Sequence, residues 1–324
     1  VRVLVAGSTG LIGTALVEHL SGRGHSVVCL VHATGDRTGG ERTAGDTAGR
    51  GAPARPNAAT IRWDPAAGTL DLDAVARAGP FDAAVNLAGA GIGDRRWSAA
   101  RKQTILASRT SSTRLLATSL AALDHPPSAL VNASAVGYYG DGGTEELTEK
   151  SGSGGGFLAA VCRAWESATA PASDAGIRTV VLRSGIVLTA RGGALARQLP
   201  LFRLGLGGRL GRGNQYRSWI TLRDELRVIL HCLEDSSLRG PVNASAPTPV
   251  TDTEFAHALG DALHRPAVLA APGFALRLAL GREMATELLL IGQRALPAAL
   301  SSRGFRFSDE VISSALEWAL ADRR

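Results

Sequence analysis

Short apolar runs alternate with segments of helical period over the first 190 residues. Val3-Leu4-Val5-Ala6 runs into Gly7-Ser8-Thr9-Gly10-Leu11-Ile12-Gly13, and Leu11, Ala15, Leu16, His19 and Leu20 follow at helical spacing. A continuous apolar run describes a strand buried on both faces, and the 3.6-residue period after it describes a helix. Further strand-like runs fall at 27–31, 59–63, 83–87, 129–133 and 179–182, with helical patterns at 101–123 and 158–175. This alternation predicts an α/β protein with a Rossmann-type doubly wound parallel sheet over residues 1–190. The remainder, 191–324, reads differently: Pro247, Pro249, Pro266, Pro272 and Pro297 punctuate helical stretches at 252–263, 274–280, 283–291 and 309–321. It predicts a smaller, mostly helical substrate lobe, with the chain crossing between lobes near 219–245 and a cleft between them. Residues 35–58 lack apolar periodicity and are expected to form a mobile surface loop, and 151–156 is a glycine-rich hinge or lid candidate.

The first strand–turn–helix carries chemistry. Glycine at position 7 permits a sharp turn, Gly10 permits close approach of backbone N–H groups to a pyrophosphate, and Gly13 permits close helix–strand packing. The helix N-terminus adds unpaired donors and a partial positive charge. A strand before the glycines and a helix after them is the context that gives the spacing meaning as a dinucleotide site. Ser8, Thr9, Leu11 and Ile12 complete that loop.

Composition narrows the classes. The chain has 324 residues, 45% hydrophobic and 20% charged, within the range of globular proteins. No apolar run reaches the ~18 residues of a membrane span, and no basic-then-apolar leader precedes the glycine loop, so a cytoplasmic protein without a membrane partner is expected. Cys29, Cys162 and Cys232 are far apart, which fits reduced thiols and gives no metal-ligand spacing. The net charge of +6 is dispersed, nearly all of it arginine, without a basic tail or aromatic–basic repeat. Nucleic acid is therefore not an expected partner, and a small-molecule substrate is. A homodimer stays open.

Four motifs carry a family resemblance: the glycine loop, Asn86-Leu87-Ala88-Gly89, the stretch Asn132-Ala133-Ser134-Ala135-Val136-Gly137-Tyr138-Tyr139-Gly140, and Arg183-Ser184-Gly185-Ile186-Val187-Leu188. In this order they resemble the extended short-chain dehydrogenase/reductases. Val161-Cys162-Arg163-Ala164-Trp165-Glu166, Pro249-Val250-Thr251-Asp252-Thr253-Glu254-Phe255 and Gly292-Gln293-Arg294-Ala295-Leu296-Pro297 sharpen the resemblance to the atypical branch called epimerase family proteins (YfcH and SDR39U type). It implies a nicotinamide cofactor and oxidoreductase or isomerase chemistry.

The superfamily's proton relay, a Tyr with a Lys four residues later, is missing. The only lysines are Lys102 and Lys150, and with Glu166 setting the register, Leu158 and Cys162 occupy the Tyr and Lys positions. Ser134, Tyr138 and Tyr139 are then the candidate proton movers, with packing as the other reading for the tyrosines. Ala135 falls where a catalytic Ser or Thr often sits. Cys162 reads as a buried, inert thiol.

For the cofactor, Leu87, Ala88 and Gly89 should border the adenosine ribose and pyrophosphate, Asp64 the adenine edge or merely a turn, and Arg183, Ser184 and Gly185 the far side of the site. The end of the second strand carries His32 rather than an acid, which admits a 2′-phosphate, with Arg37 or Arg42 assisting. NADP is thus expected over NAD. Arg109 contacts substrate or caps structure. Arg217, in a loop with Arg203, Arg209 and Arg212, is a candidate grip for an anionic substrate such as a nucleotide diphosphate, with ordinary surface arginines of a solvated glycine-rich loop as the other reading. Asp224 is expected to cap the helix that follows. Two functions remain: an NADP-dependent oxidoreductase or epimerase, or an NADP-binding regulatory or interaction protein with little turnover.

Overall fold

The structure, a computed structural model, describes residues 1–33 and 58–322. The expected mobile loop, with Arg37 and Arg42, lies outside the described residues apart from Ala58.

The strands and helices in chain order are β1 (Arg2–Ala6), α1 (Leu11–Gly22), β2 (Ser26–His32), β3 (Ala59–Asp64), β4 (Thr69–Leu70), α2 (Leu72–Ala78), β5 (Ala83–Asn86), α3 (Ala99–Ala121), β6 (Ala129–Ala135), β7 (Glu146–Leu147), α4 (Phe157–Ser167), α5 (Ala170–Asp174), β8 (Arg178–Ser184) and β9 (Ile186–Leu188). They continue as α6 (Gly193–Arg203), β10 (Tyr216–Arg217), β11 (Trp219–Thr221), α7 (Leu222–Glu234), β12 (Gly240–Ala244), β13 (Val250–Thr251), α8 (Asp252–Leu263), α9 (Gly273–Leu280), α10 (Arg282–Ala285), β14 (Arg294–Ala295), α11 (Ala298–Ser301) and α12 (Ile312–Ala321).

The main sheet runs β12-β8-β6-β5-β1-β2-β3-β4, parallel throughout except the β3–β4 hairpin at one edge. The order reverses on either side of β1, with Ala6 beside Leu30 of β2 and Asn86 of β5. In doubly wound folds that reversal opens a crevice at the carboxyl ends of the strands. Two apolar layers sandwich the sheet. One holds Val3, Val5, Leu16 and Leu20 with Ile229 of α7, the other Leu4, Ala6, Leu30 and Trp63 with Leu116 and Leu120 of α3. A third core joins α6, α8 and α12 around Leu195, Trp219, Phe255 and Leu316.

Several boundaries differ from expectation for local reasons. The pattern at 158–175 splits into α4 and α5 because Pro171 starts a new helix near its N-terminus. The pattern at 283–291 becomes α10 followed by a π-turn over Thr286–Leu290. Asp224 does not cap α7. Thr221 does, accepting from the Asp224 N–H. The Asp224 carboxylate is buried and instead accepts from the backbone N–H groups of Ser308 and Asp309. The chain returns to the main sheet as β12, beside β8. This strand has no apolar run to betray it, and its Pro241 is tolerated at the sheet edge.

Candidate functional site

The glycine loop sits at the carboxyl end of β1, gripped from both sides. Gly7 has φ +80°, and a Cβ there would lie 2.5 Å from the carbonyl carbon of Leu87. A Cβ on Gly13 would collide with the Gly7 carbonyl oxygen. Gly10 differs: its Cβ direction meets only that oxygen, at 3.5 Å, and is otherwise open. As the N-cap of α1 it provides no side-chain acceptor, so the first turn's N–H groups are left to an external anion. This cradle fits the pyrophosphate of a dinucleotide. Ser8, Thr9, Leu11 and Ile12 lie along it, and Thr14 Oγ1 braces it on the Ser8 carbonyl.

Leu87 and Ala88 border the loop, the Leu87 N–H donating to Ala6 O at 2.9 Å and the Ala88 N–H to Asn86 Oδ1 at 3.2 Å. His32 ends β2 exposed, its ring 5.9 Å from that of Trp63. Asp64 Oδ1 accepts from the N–H groups of Ala66 and Ala67, which makes it a turn carboxylate. Arg109 is held inside: Nη1 donates to Ala90 O at 2.9 Å, the guanidinium covers the Trp165 ring, and the stem lies where a Cβ on Gly89 would sit at 3.2 Å. These contacts shape the turn after β5.

Three candidates for the cofactor's far side prove to be engaged elsewhere. Arg183 is buried and forked onto Glu166, with Nε on Oε1 at 2.9 Å and Nη2 on Oε2 at 2.8 Å. Burial works against its charge, but the bonds to Glu166 and Tyr139 outweigh it and raise its pKa. Ser184 Oγ donates to Glu225 Oε1 at 2.6 Å. Gly185 is required because a Cβ would press on the Ser218 carbonyl. The side chains of Arg183 and Ser184 are thus engaged within the fold.

The proton-mover candidates divide. Ser134 Oγ donates to Glu166 Oε1 at 2.7 Å. Tyr139 is 3% exposed; its hydroxyl donates to Asn243 Oδ1 at 2.7 Å and accepts from Arg183 Nη1 at 3.0 Å. Burial raises its pKa against the opposing pull of Arg183. Both residues are therefore parts of an internal hydrogen-bond network. Tyr138 is half-buried, with Arg183 stacked 3.4 Å from its ring centroid and its hydroxyl in no hydrogen bond among the described residues. The adjoining positions are apolar: a Cβ on Gly137 would point at Leu158, 3.5 Å away, and burial pushes the Cys162 thiol up to about 11.

Arg217, the expected substrate grip, is 9% exposed, ion-paired with buried Asp252 and stacked over Phe255 at 4.6 Å. It ties β10 to α8 and is unavailable to an external anion.

Sequence reasoning missed Glu287. It leaves the π-turn and accepts from the N–H groups of Phe157 and Leu158, at 2.8 and 2.7 Å. It thereby caps α4, whose own N-cap is Gly156, and joins the C-terminal segment to that helix. The bare glycine cap of α4 was the available signal. Lys102 adds a second tie, to Glu283 at 2.8 Å.

The pattern of the NAD dependent epimerase/dehydratase family matches residues 3–244, and that of a domain of unknown function, DUF1731, matches 271–319. Epimerase family protein ML0860 of Mycobacterium leprae is 43% identical over 317 residues, covering 98% of this chain and 95% of that protein. Human epimerase family protein SDR39U1 is 35% identical over 323 residues, covering 99% of this chain and all of that protein. The crystal structure of human SDR39U1 (isoform 2) with NADPH superposes with a TM-score of 0.83 at 34% identity, covering 99% of this chain and 100% of that one.

Proposed function

The chain belongs to the NAD-dependent epimerase/dehydratase family, and from that premise we propose that it binds NADP(H) in the β1–α1 cradle and acts as an oxidoreductase or epimerase on a small molecule. The observation that carries this reading is the cradle itself: Gly10 open above an uncapped helix N-terminus, between Gly7 and Gly13 positions that admit no side chain. The 2′-phosphate reading draws support from His32, where an acid would select NAD, and from the NADPH in the human relative.

A bound nicotinamide would give or take the hydride. The protein's share is to hold the dinucleotide through the N–H groups of the first turn of α1 and to keep the loop rigid through Leu87 and Ala88. Tyr138 is the remaining hydroxyl for moving a proton, since Ser134 and Tyr139 are engaged by Glu166, Arg183 and Asn243. The Arg183 guanidinium lies 3.4 Å from its ring centroid and fixes the ring's position.

One observation favours a second reading, cofactor binding without turnover. Ala135, Leu158 and Cys162 put no acid or base at the positions that carry them in the superfamily. Equilibrium titration of the protein with NADPH and NADH, followed by the fluorescence of the reduced nicotinamide, tests the premise. Tight NADPH and weak NADH binding is expected, and binding of neither would overturn both readings. Reduction of carbonyl compounds by the bound NADPH then separates enzyme from sensor.

A further inference from the structure

One outward face of the C-terminal lobe is apolar. The α9 helix buries none of its residues. Phe274 and Leu278, one turn apart on that helix, are 73% and 79% exposed. The segment after α6 lies along the segment before α9: the Leu269 N–H donates to Gly207 O at 3.3 Å, the Ala271 N–H to Arg209 O at 2.9 Å, and the Gly211 N–H to Ala271 O at 2.9 Å. These bonds lay the segment carrying exposed Leu204 and Leu206 beside the one carrying exposed Val268 and Leu269, which leads into α9. Apolar exposure gathered in this way marks a contact surface rather than chance.

Arginine predominates on this face, with Asp261 and Glu283 exposed at its borders. Residues 201–217 and 262–282 contain no Asp or Glu, whereas Arg203, Arg209, Arg265, Arg277 and Arg282 are exposed there. The side chains of Arg209 and Arg265 donate only to backbone carbonyls, those of Gly211, Arg203 and His264. Pairing this face with a second copy would set arginines against arginines. A bilayer with anionic headgroups complements both features, with acyl chains for Phe274 and Leu278 and phosphates for the guanidinium forks. At eight residues α9 is far too short to span, and no helix among the described residues is long and apolar enough to cross a membrane. The expectation of no membrane partner rests on the lack of a spanning run. Peripheral contact needs none.

We propose that α9 and the flanking segments 203–209 and 265–271 dock onto an anionic membrane surface, with Phe274 and Leu278 at the acyl boundary and Arg265 and Arg277 on phosphate headgroups. The test is co-flotation of the full chain with vesicles of phosphatidylglycerol and phosphatidylcholine, against vesicles of phosphatidylcholine alone. Binding is expected to the mixed vesicles only, weakening as salt rises. Replacing both apolar residues (Phe274→Ser with Leu278→Ser) should lower partitioning at least about tenfold. Arg277→Ala should lower it about fivefold. These residues are exposed, so NADPH affinity and melting should stay at wild-type values in every variant, which excludes unfolding as the cause. No flotation, or equal flotation with neutral vesicles, overturns the proposal. So does a concentration-dependent dimer, seen by sedimentation without lipid, that the double replacement dissociates: the face would then join two copies of the chain.

Discussion

The turn after β1 and the turn after β6 leave the same edge of the sheet, and they differ in where their polar groups go. After β1, α1 begins with an uncapped glycine and donors directed outward. After β6, Ser134 and Tyr139 bond inward, to Glu166, Arg183 and Asn243. Both stretches are conspicuous in the sequence, one for its glycines and one for its hydroxyls. The first keeps its donors available to a ligand, whereas the second keeps only the Tyr138 hydroxyl unbonded among the described residues. A polar residue at the mouth of a site is a functional candidate only after its bonds within the fold have been counted.

The sharpest way to break this comparison is at its buried centre. Arg183→Met leaves the Glu166 carboxylate without its forked partner, and such losses cost about 3–5 kcal/mol. Urea denaturation should show that drop, while the folded fraction keeps its NADPH affinity. A loss confined to ligand affinity would return Arg183 to the cofactor site. Gly10→Val should do the opposite. Its new side chain enters space that no protein atom fills, so stability without cofactor should hold within about 1 kcal/mol. NADPH affinity should fall about a hundredfold, near 3 kcal/mol. Unchanged affinity would move the pyrophosphate elsewhere.

A smaller effect, dependent on pH, separates the layers beneath the site. Glu225 is fully buried, Oε1 accepts from Ser184, Oε2 has no partner among the described residues, and burial pushes its carboxyl up to about 7. The folded state therefore holds this proton more tightly than the unfolded chain, where an ordinary carboxyl releases it near 4.5. Stability from this group is fully present below about pH 4.5 and is lost as pH rises to about 7, by at most ~3 kcal/mol. Glu225→Gln keeps an acceptor for Ser184 and cannot ionise. The variant's melting temperature should exceed wild type at pH 8 and approach it at pH 5. An equal gap at both would show that Glu225 is not neutral in the fold.

What could be read in advance follows the range of the interactions. The glycine loop, the parallel strands and α8, with its Thr251–Glu254 capping box, are specified by neighbours in sequence and were legible there. Arg217 was not, because Asp252 settles its role and reaches it only through the β10–β13 pairing. Arg183 likewise takes its meaning from Glu166 on α4, across the sheet. Strand β12 escaped because Gly240-Pro241-Val242-Asn243-Ala244 carries neither an apolar run nor alternation, and only its partner β8 makes it a strand. Glu287 escaped because a π-turn, rather than the expected α-helix, aims it at α4.

The two adjacent tyrosines give the finest division. Tyr139→Phe removes one hydroxyl and leaves Arg183 Nη1 and Asn243 Oδ1 each short of a partner inside the protein. The expected cost is about 1–3 kcal/mol of stability, with turnover per folded molecule unchanged once a substrate is in hand. Tyr138→Phe removes a hydroxyl bonded to nothing among the described residues, so the denaturation midpoint should not move, whereas turnover that needs its proton should fall by ~10²-fold or more. Loss of turnover in Tyr139→Phe at full stability would reverse the assignment, because a residue sealed between Arg183 and Asn243 could act on a substrate only if that network opened during the reaction.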